Sequence, residues 1–120
     1  MQRILIIDDD EDIIETVGSL LKDEGYDVDF ATTTEQGIEM IKDAAPDLLL
    51  LDIMFPDKKT KGFDAAGEIK AINPELPIFV FTAINREYAF DFSKDDIKAD
   101  EFINKPVKLD RLVEKIKQYI

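Results

Sequence analysis

Three runs of large apolar residues, Ile4 to Ile7, Leu48 to Leu51 and Ile78 to Phe81, have no polar residue at alternate positions, and each stops at a polar one. A strand with one face in water alternates apolar and polar residues. A strand covered on both faces does not, and strands of that kind belong to parallel sheets with helices packed on either side. Two weaker strands are predicted at Asp27 to Ala31 and Glu101 to Asn104. Helical spacing separates them: Ile13, Ile14, Val17, Leu20 and Leu21; Ile38 and Ile41; Ala65, Ala66, Ile69 and Ile72; and Leu109, Leu112, Val113, Ile116 and Ile120. Gly25 punctuates the end of the first helix, Thr32 to Thr34 cap the second, and Pro46 and Pro77 precede the third and fourth strands. A fourth helix is expected within Ile84 to Ala99, where the apolar period is least regular. Five β-α units imply an α/β fold, an open, doubly wound parallel sheet with helices on both faces. The ligands of such a sheet sit at the carboxyl ends of its strands. A chain of 120 residues accommodates one such domain, spanning 1–120.

Composition removes several kinds of chemistry. There is no cysteine, so disulfides and thiolates are excluded, and a cytoplasmic location is expected. The chain contains no histidine, which removes imidazole as a general base and as a metal ligand. A formal charge of −12 argues against a direct grip on nucleic acid, which requires Lys and Arg to neutralise phosphates. No apolar stretch approaches the length of a membrane span, and the run before Asp8 is too short for a signal peptide. What remains is chemistry by carboxylates, hydroxyls and lysines.

Those groups collect at strand ends. The first run stops against Asp8, Asp9, Asp10, Glu11 and Asp12; the third strand reads LLLLD and ends at Asp52; the fourth reads FVFT and ends at Thr82; the fifth runs into FINKP and Lys105. Carboxylates brought together raise one another's pKa unless a countercharge intervenes. With oxygen ligands only, and few of them, the expected countercharge is Mg²⁺, with Mn²⁺ as its substitute. Together with Lys105 and the Thr82 hydroxyl, such an ion suits in-line phosphoryl transfer to a carboxylate, and Asp52 is the natural acceptor. Asp10, Glu11 and Asp12 read instead as the cap and first turn of a helix, where the dipole favours acids.

The five segments ILIIDDDEDI, PDLLLLDIMFP, GFD, FVFTA and NKP, in this order, make the chain resemble the response-regulator receiver domains of two-component signalling. The resemblance covers nearly the whole chain and implies a flavodoxin-like (βα)5 sandwich with strand order 2-1-3-4-5. It implies that Asp8, Asp9, Asp52 and the backbone carbonyl of Met54 hold Mg²⁺, and that Asp52 takes a phosphoryl group from a sensor histidine kinase or phosphotransfer protein. It further implies that Lys105 and Thr82 contact the phosphoryl oxygens, that Phe102 is the switch aromatic, and that Lys105 and Pro106 are joined by a cis peptide. Met54 and Ile84 occupy the family's two rate-tuning positions; both are apolar, which predicts slow self-dephosphorylation. The implied output is a downstream domain or protein engaged through the face of the fourth helix, fifth strand and fifth helix, a face that also suits a phosphorylation-dependent homodimer. The protein on this reading is a switch that catalyses its own modification rather than a conventional enzyme.

Taken singly, the same residues have plainer readings: Thr82 as a strand former or cap, Phe102 as core, Lys105 as a surface lysine. Two stretches depart from the family's pattern, the long PDKKTKG loop with Lys58, Lys59 and Lys61, and IKADEF, with Lys98 where glycine is common. Two enzymatic or metal-loop patterns compete. IIDDD partly resembles the haloacid dehalogenase-type phosphatases, with Asp8 as nucleophile and Asp10 as acid, but Asp12 breaks that pattern and the chain is short for that fold. Asp8, Asp10 and Asp12 have the alternation of a calcium loop, but Ile13 and Ser19 stand where it needs Gly and Glu. A receiver-shaped module that is never phosphorylated is the third alternative.

Overall fold

The computed structural model describes residues 2–53, 67–82, 100–104 and 108–120, with Ile53, Thr82, Phe102 and Asn104 described by their backbone alone. The described elements are β1 (Arg3–Ile7), α1 (Glu11–Asp23), β2 (Asp27–Ala31), α2 (Thr34–Asp43), β3 (Leu48–Ile53), α3 (residues 67–72), β4 (Ile78–Thr82), β5 (Glu101–Asn104) and α4 (Leu109–Tyr119). The last is the helix that the sequence counts as fifth. The expected fourth helix, the PDKKTKG loop, Lys98, Met54, Ile84, Lys105 and Pro106, with its expected cis peptide, lie outside the described residues.

All strands are parallel, in the order β2-β1-β3-β4-β5. Because side chains alternate across a strand, each uniformly apolar run feeds two cores at once. Leu5, Ile7, Leu49, Leu51, Ile78 and Val80 meet Ile38 and Ile41 of α2 and Ile69 of α3 on one face. Ile4, Ile6, Leu48, Leu50, Phe79 and Phe81 meet Val17 and Leu21 of α1 and Leu112 and Ile116 of α4 on the other. Each such side chain, fully buried, contributes about 1.5–3 kcal/mol, so the three central strands are the main source of stability.

The helix ends are set by the residues the sequence marks. The Asp10 side chain accepts the backbone N–H of Asp12 at 3.0 Å and of Ile13 at 3.4 Å, capping α1. At its other end Gly25 takes φ +96°, Gly25 N–H donates to Lys22 O and Tyr26 N–H to Leu21 O, the double bond pattern that turns a chain out of a helix. Thr33 caps α2 by accepting Gln36 N–H at 3.1 Å, and the Gln36 side chain accepts Thr32 N–H at 3.3 Å in return.

At the amino edge of the sheet, carboxylates receive strand amides. Asp47 accepts Arg3 N–H at 2.8 Å. Asp100 accepts Ile78 N–H at 2.8 Å and pairs with Lys70 at 2.9 Å, while Lys70 also donates to Leu76 O. The end of α4 is held by Lys117 on Glu24 at 3.0 Å, and by the Tyr119 hydroxyl donating to Glu101 at 2.8 Å with its ring edge-on to Phe79.

Candidate metal centre

Two neighbouring strands bring the acids together. Ile7 at the end of β1 lies opposite Leu51 of β3, so the residues that follow them, Asp8 and Asp52, emerge side by side at the carboxyl edge. The sequence ends the third strand at Asp52, and pairing continues one residue further, with Asp52 opposite Phe81 and Ile53 opposite Thr82 of β4. Asp52 is thus fixed by the ladder rather than hanging from its end.

Asp8 is 3% exposed, Asp52 is half-buried and Asp9 is exposed. Asp8 is held twice by backbone: its N–H donates to Ala31 O of β2 at 3.0 Å, and its Oδ1 accepts Asp10 N–H at 2.8 Å. One carboxylate oxygen from each of Asp8, Asp9 and Asp52 lies within 4.8 Å of the other two. That spread matches oxygens bound at about 2.0–2.6 Å around one hard cation. The donors are carboxylates alone, in a chain without histidine or cysteine, which suits Mg²⁺ and disfavours softer metals. The three acids singled out in the sequence as metal ligands therefore share one place, and their donor set fits the ion.

The backbone also places Thr82 at this edge, opposite Ile53 on one side and Asn104 on the other. Phe102 lies in β5 opposite Val80. What sequence reasoning missed is the support behind Asp8, namely the Ala31 carbonyl and the Asp10 amide. The signal for the second was legible, since an aspartate side chain readily accepts the backbone N–H two residues further on, as Asp8 does from Asp10.

The chain matches the response regulator receiver domain over residues 4–117. Among curated proteins, the transcriptional regulatory protein DltR of Streptococcus agalactiae is 36% identical over 115 residues, 96% of this chain and 50% of that protein. The response regulator MprA of Mycobacterium ulcerans is 31% identical over 115 residues, 96% of this chain and 48% of that protein. The chain spans about half the length of the curated relatives it matches. Among solved structures, a CheY-like response regulator receiver domain protein from Methanospirillum hungatei is 33% identical with a TM-score of 0.85, covering 98% of this chain and 92% of that one. Response regulator TrrA of Thermotoga maritima, solved in complex with Mg²⁺ and BeF, is 34% identical with a TM-score of 0.84, covering 100% of both chains. Among the described residues no helix is long and apolar enough to cross a membrane. The doubly wound sheet expected from the apolar runs is the fold observed, and with residues 4–117 matched the chain belongs to the response regulator receiver domain family of two-component signalling.

Proposed function

We propose that residues 1–120 form a single phosphorylation-operated switch of a two-component system in the cytoplasm, with Asp52 as the phosphoryl acceptor. The observation that carries this reading is the convergence of Asp8, Asp9 and Asp52 at the carboxyl edge, with Asp52 set in the strand ladder. A carboxylate oxygen of Asp52 attacks the phosphorus of a phosphohistidine on a sensor kinase or phosphotransfer protein. The phosphorus–nitrogen bond breaks, its electron pair stays on the imidazole, and an acyl phosphate forms on Asp52. Asp8, Asp9, Asp52 and the Met54 carbonyl would hold Mg²⁺, which supplies charge neutralisation for the incoming phosphoryl oxygens. Asp8, buried and tied to two backbone groups, orients its carboxylate for that task.

Lys105 and Thr82 are assigned to the phosphoryl oxygens, and Phe102 to the aromatic that moves with Thr82. The apolar Met54 and Ile84 offer no group to orient an attacking water, so the acyl phosphate persists. The added charge shifts the population toward a form whose β5 and α4 face, with the helix expected between β4 and β5, engages an output domain, a partner protein or a second copy. The protein turns over no external metabolite on this reading.

The test is intact mass after incubation with acetyl phosphate, with and without Mg²⁺, for the parent and Asp52→Ala. A Mg²⁺-dependent phosphoryl adduct on the parent alone is expected. An unmodified parent would point to a receiver-shaped interaction module instead.

A further inference from the structure

We propose that Gly37 is a positioning residue for the acid cluster, its missing Cβ letting α2 close onto Ile7 and so seating Asp8. The proposal rests on the reading of Asp8 as a metal ligand. A Cβ built at Gly37 would lie 2.6 Å from Ile7 Cγ1, nearer still to Ile7 Cδ1, and 3.7 Å from the Ala31 Cβ. The residues it would meet are the two that fix Asp8: Ile7 precedes it in the chain, and the Ala31 carbonyl accepts its N–H.

Neither partner has room to retreat. Ile7 is buried in the core beside Ala31, Ile38 and Leu51, its backbone is paired with Ala31 on one side and Leu51 on the other, and branching at Cβ leaves its χ1 stiff. Helix α2 is fixed at its start by the Thr33 cap, just beyond the end of β2, and its Ile38 and Ile41 are buried on the same face. An added methyl group therefore drives the end of β1 away from α2. A shift of a few tenths of an ångström there is passed to the next residue, whose carboxylate has to meet those of Asp9 and Asp52.

The experiment is a calorimetric titration with Mg²⁺ of the parent, Gly37→Ala, Ile7→Val and the double variant, with circular dichroism to confirm that each is folded. Ile7→Val removes Cδ1, the atom nearest the added methyl, so the double variant approximately conserves volume. Gly37→Ala is expected to weaken Mg²⁺ binding roughly tenfold, at the lower end of what loss of support behind a ligand does, and the double variant to recover most of it. A merely structural role would lower stability without changing the affinity of the folded protein. Parent-like affinity in folded Gly37→Ala overturns the proposal while leaving the metal site standing, as does a double variant no better than Gly37→Ala. A parent that binds no Mg²⁺ overturns both. Should Gly37→Ala not fold, Ile7→Val alone decides: it loosens the same seat, a several-fold loss of affinity is expected, and parent-like binding overturns the proposal.

Discussion

Asp8 combines near-complete burial, two backbone hydrogen bonds and two neighbouring carboxylates. Asn at this position keeps an oxygen to accept the Asp10 amide but removes one of three mutually repelling charges. In Mg²⁺-free buffer Asp8→Asn is therefore expected to be more stable than the parent by about 1 kcal/mol, and to lose the stabilisation that Mg²⁺ gives the parent. Urea midpoints with and without Mg²⁺ check both halves, and a variant less stable than the parent without the ion would refute the first. Tyr119 offers a second test. Its phenol is pushed up to about 12, first by desolvation, then by the bond donated to Glu101 and the negative charge of Glu101 and Asp100. An unfolded tyrosine loses its proton near pH 10, so at higher pH the unfolded chain ionises first. The contribution is complete below about pH 10 and disappears as pH rises through about 12. The stability difference between the parent and Tyr119→Phe should shrink over that window; a constant difference would argue against the bond to Glu101.

At the scale of elements, Asp100 joins three pieces of backbone and side chain: the start of β4 through Ile78, the end of α3 through Lys70, and its own strand β5. Asp100→Ala strands a partly buried Lys70 ammonium and the Ile78 amide together, and a loss of about 1–3 kcal/mol is expected in denaturant unfolding. The elements themselves were readable to different degrees. Asp27 to Ala31 and Glu101 to Asn104 have the bounds read from sequence, because the turn at Gly25 and the polar residues flanking each run mark where pairing starts and stops. The end of β3 reads one residue short, at Asp52, since nothing local in the sequence reports that Ile53 pairs with Thr82. The acid cluster was legible for a topological reason: two runs that are adjacent in a parallel sheet deliver the residues after them to the same edge. The seat of Gly37 against Ile7 was not, because nothing local to either residue reports their meeting, and the Lys70 to Asp100 latch was hidden for the same cause.

For the molecule as a whole, a net charge of −12 means that folding draws together groups that repel, beyond the acid cluster itself. Raising KCl from roughly 20 mM to roughly 0.5 M should raise Tm by a few degrees through screening. Mg²⁺ at matched ionic strength should raise it further if one site binds the ion specifically, and differential scanning calorimetry distinguishes the two. Among the described residues, two groups of aspartates stand at opposite edges of the sheet. At the amino edge Asp47 and Asp100 receive strand amides, a task an amide oxygen performs nearly as well. At the carboxyl edge Asp8, Asp9 and Asp52 face one another, and for the metal site proposed there an amide is no substitute for an anion. Asparagine placed in turn at these five positions should therefore draw a border across the middle of the sheet. Variants on one side would remain responsive to Mg²⁺ and acetyl phosphate, and variants on the other would be well folded but deaf to both.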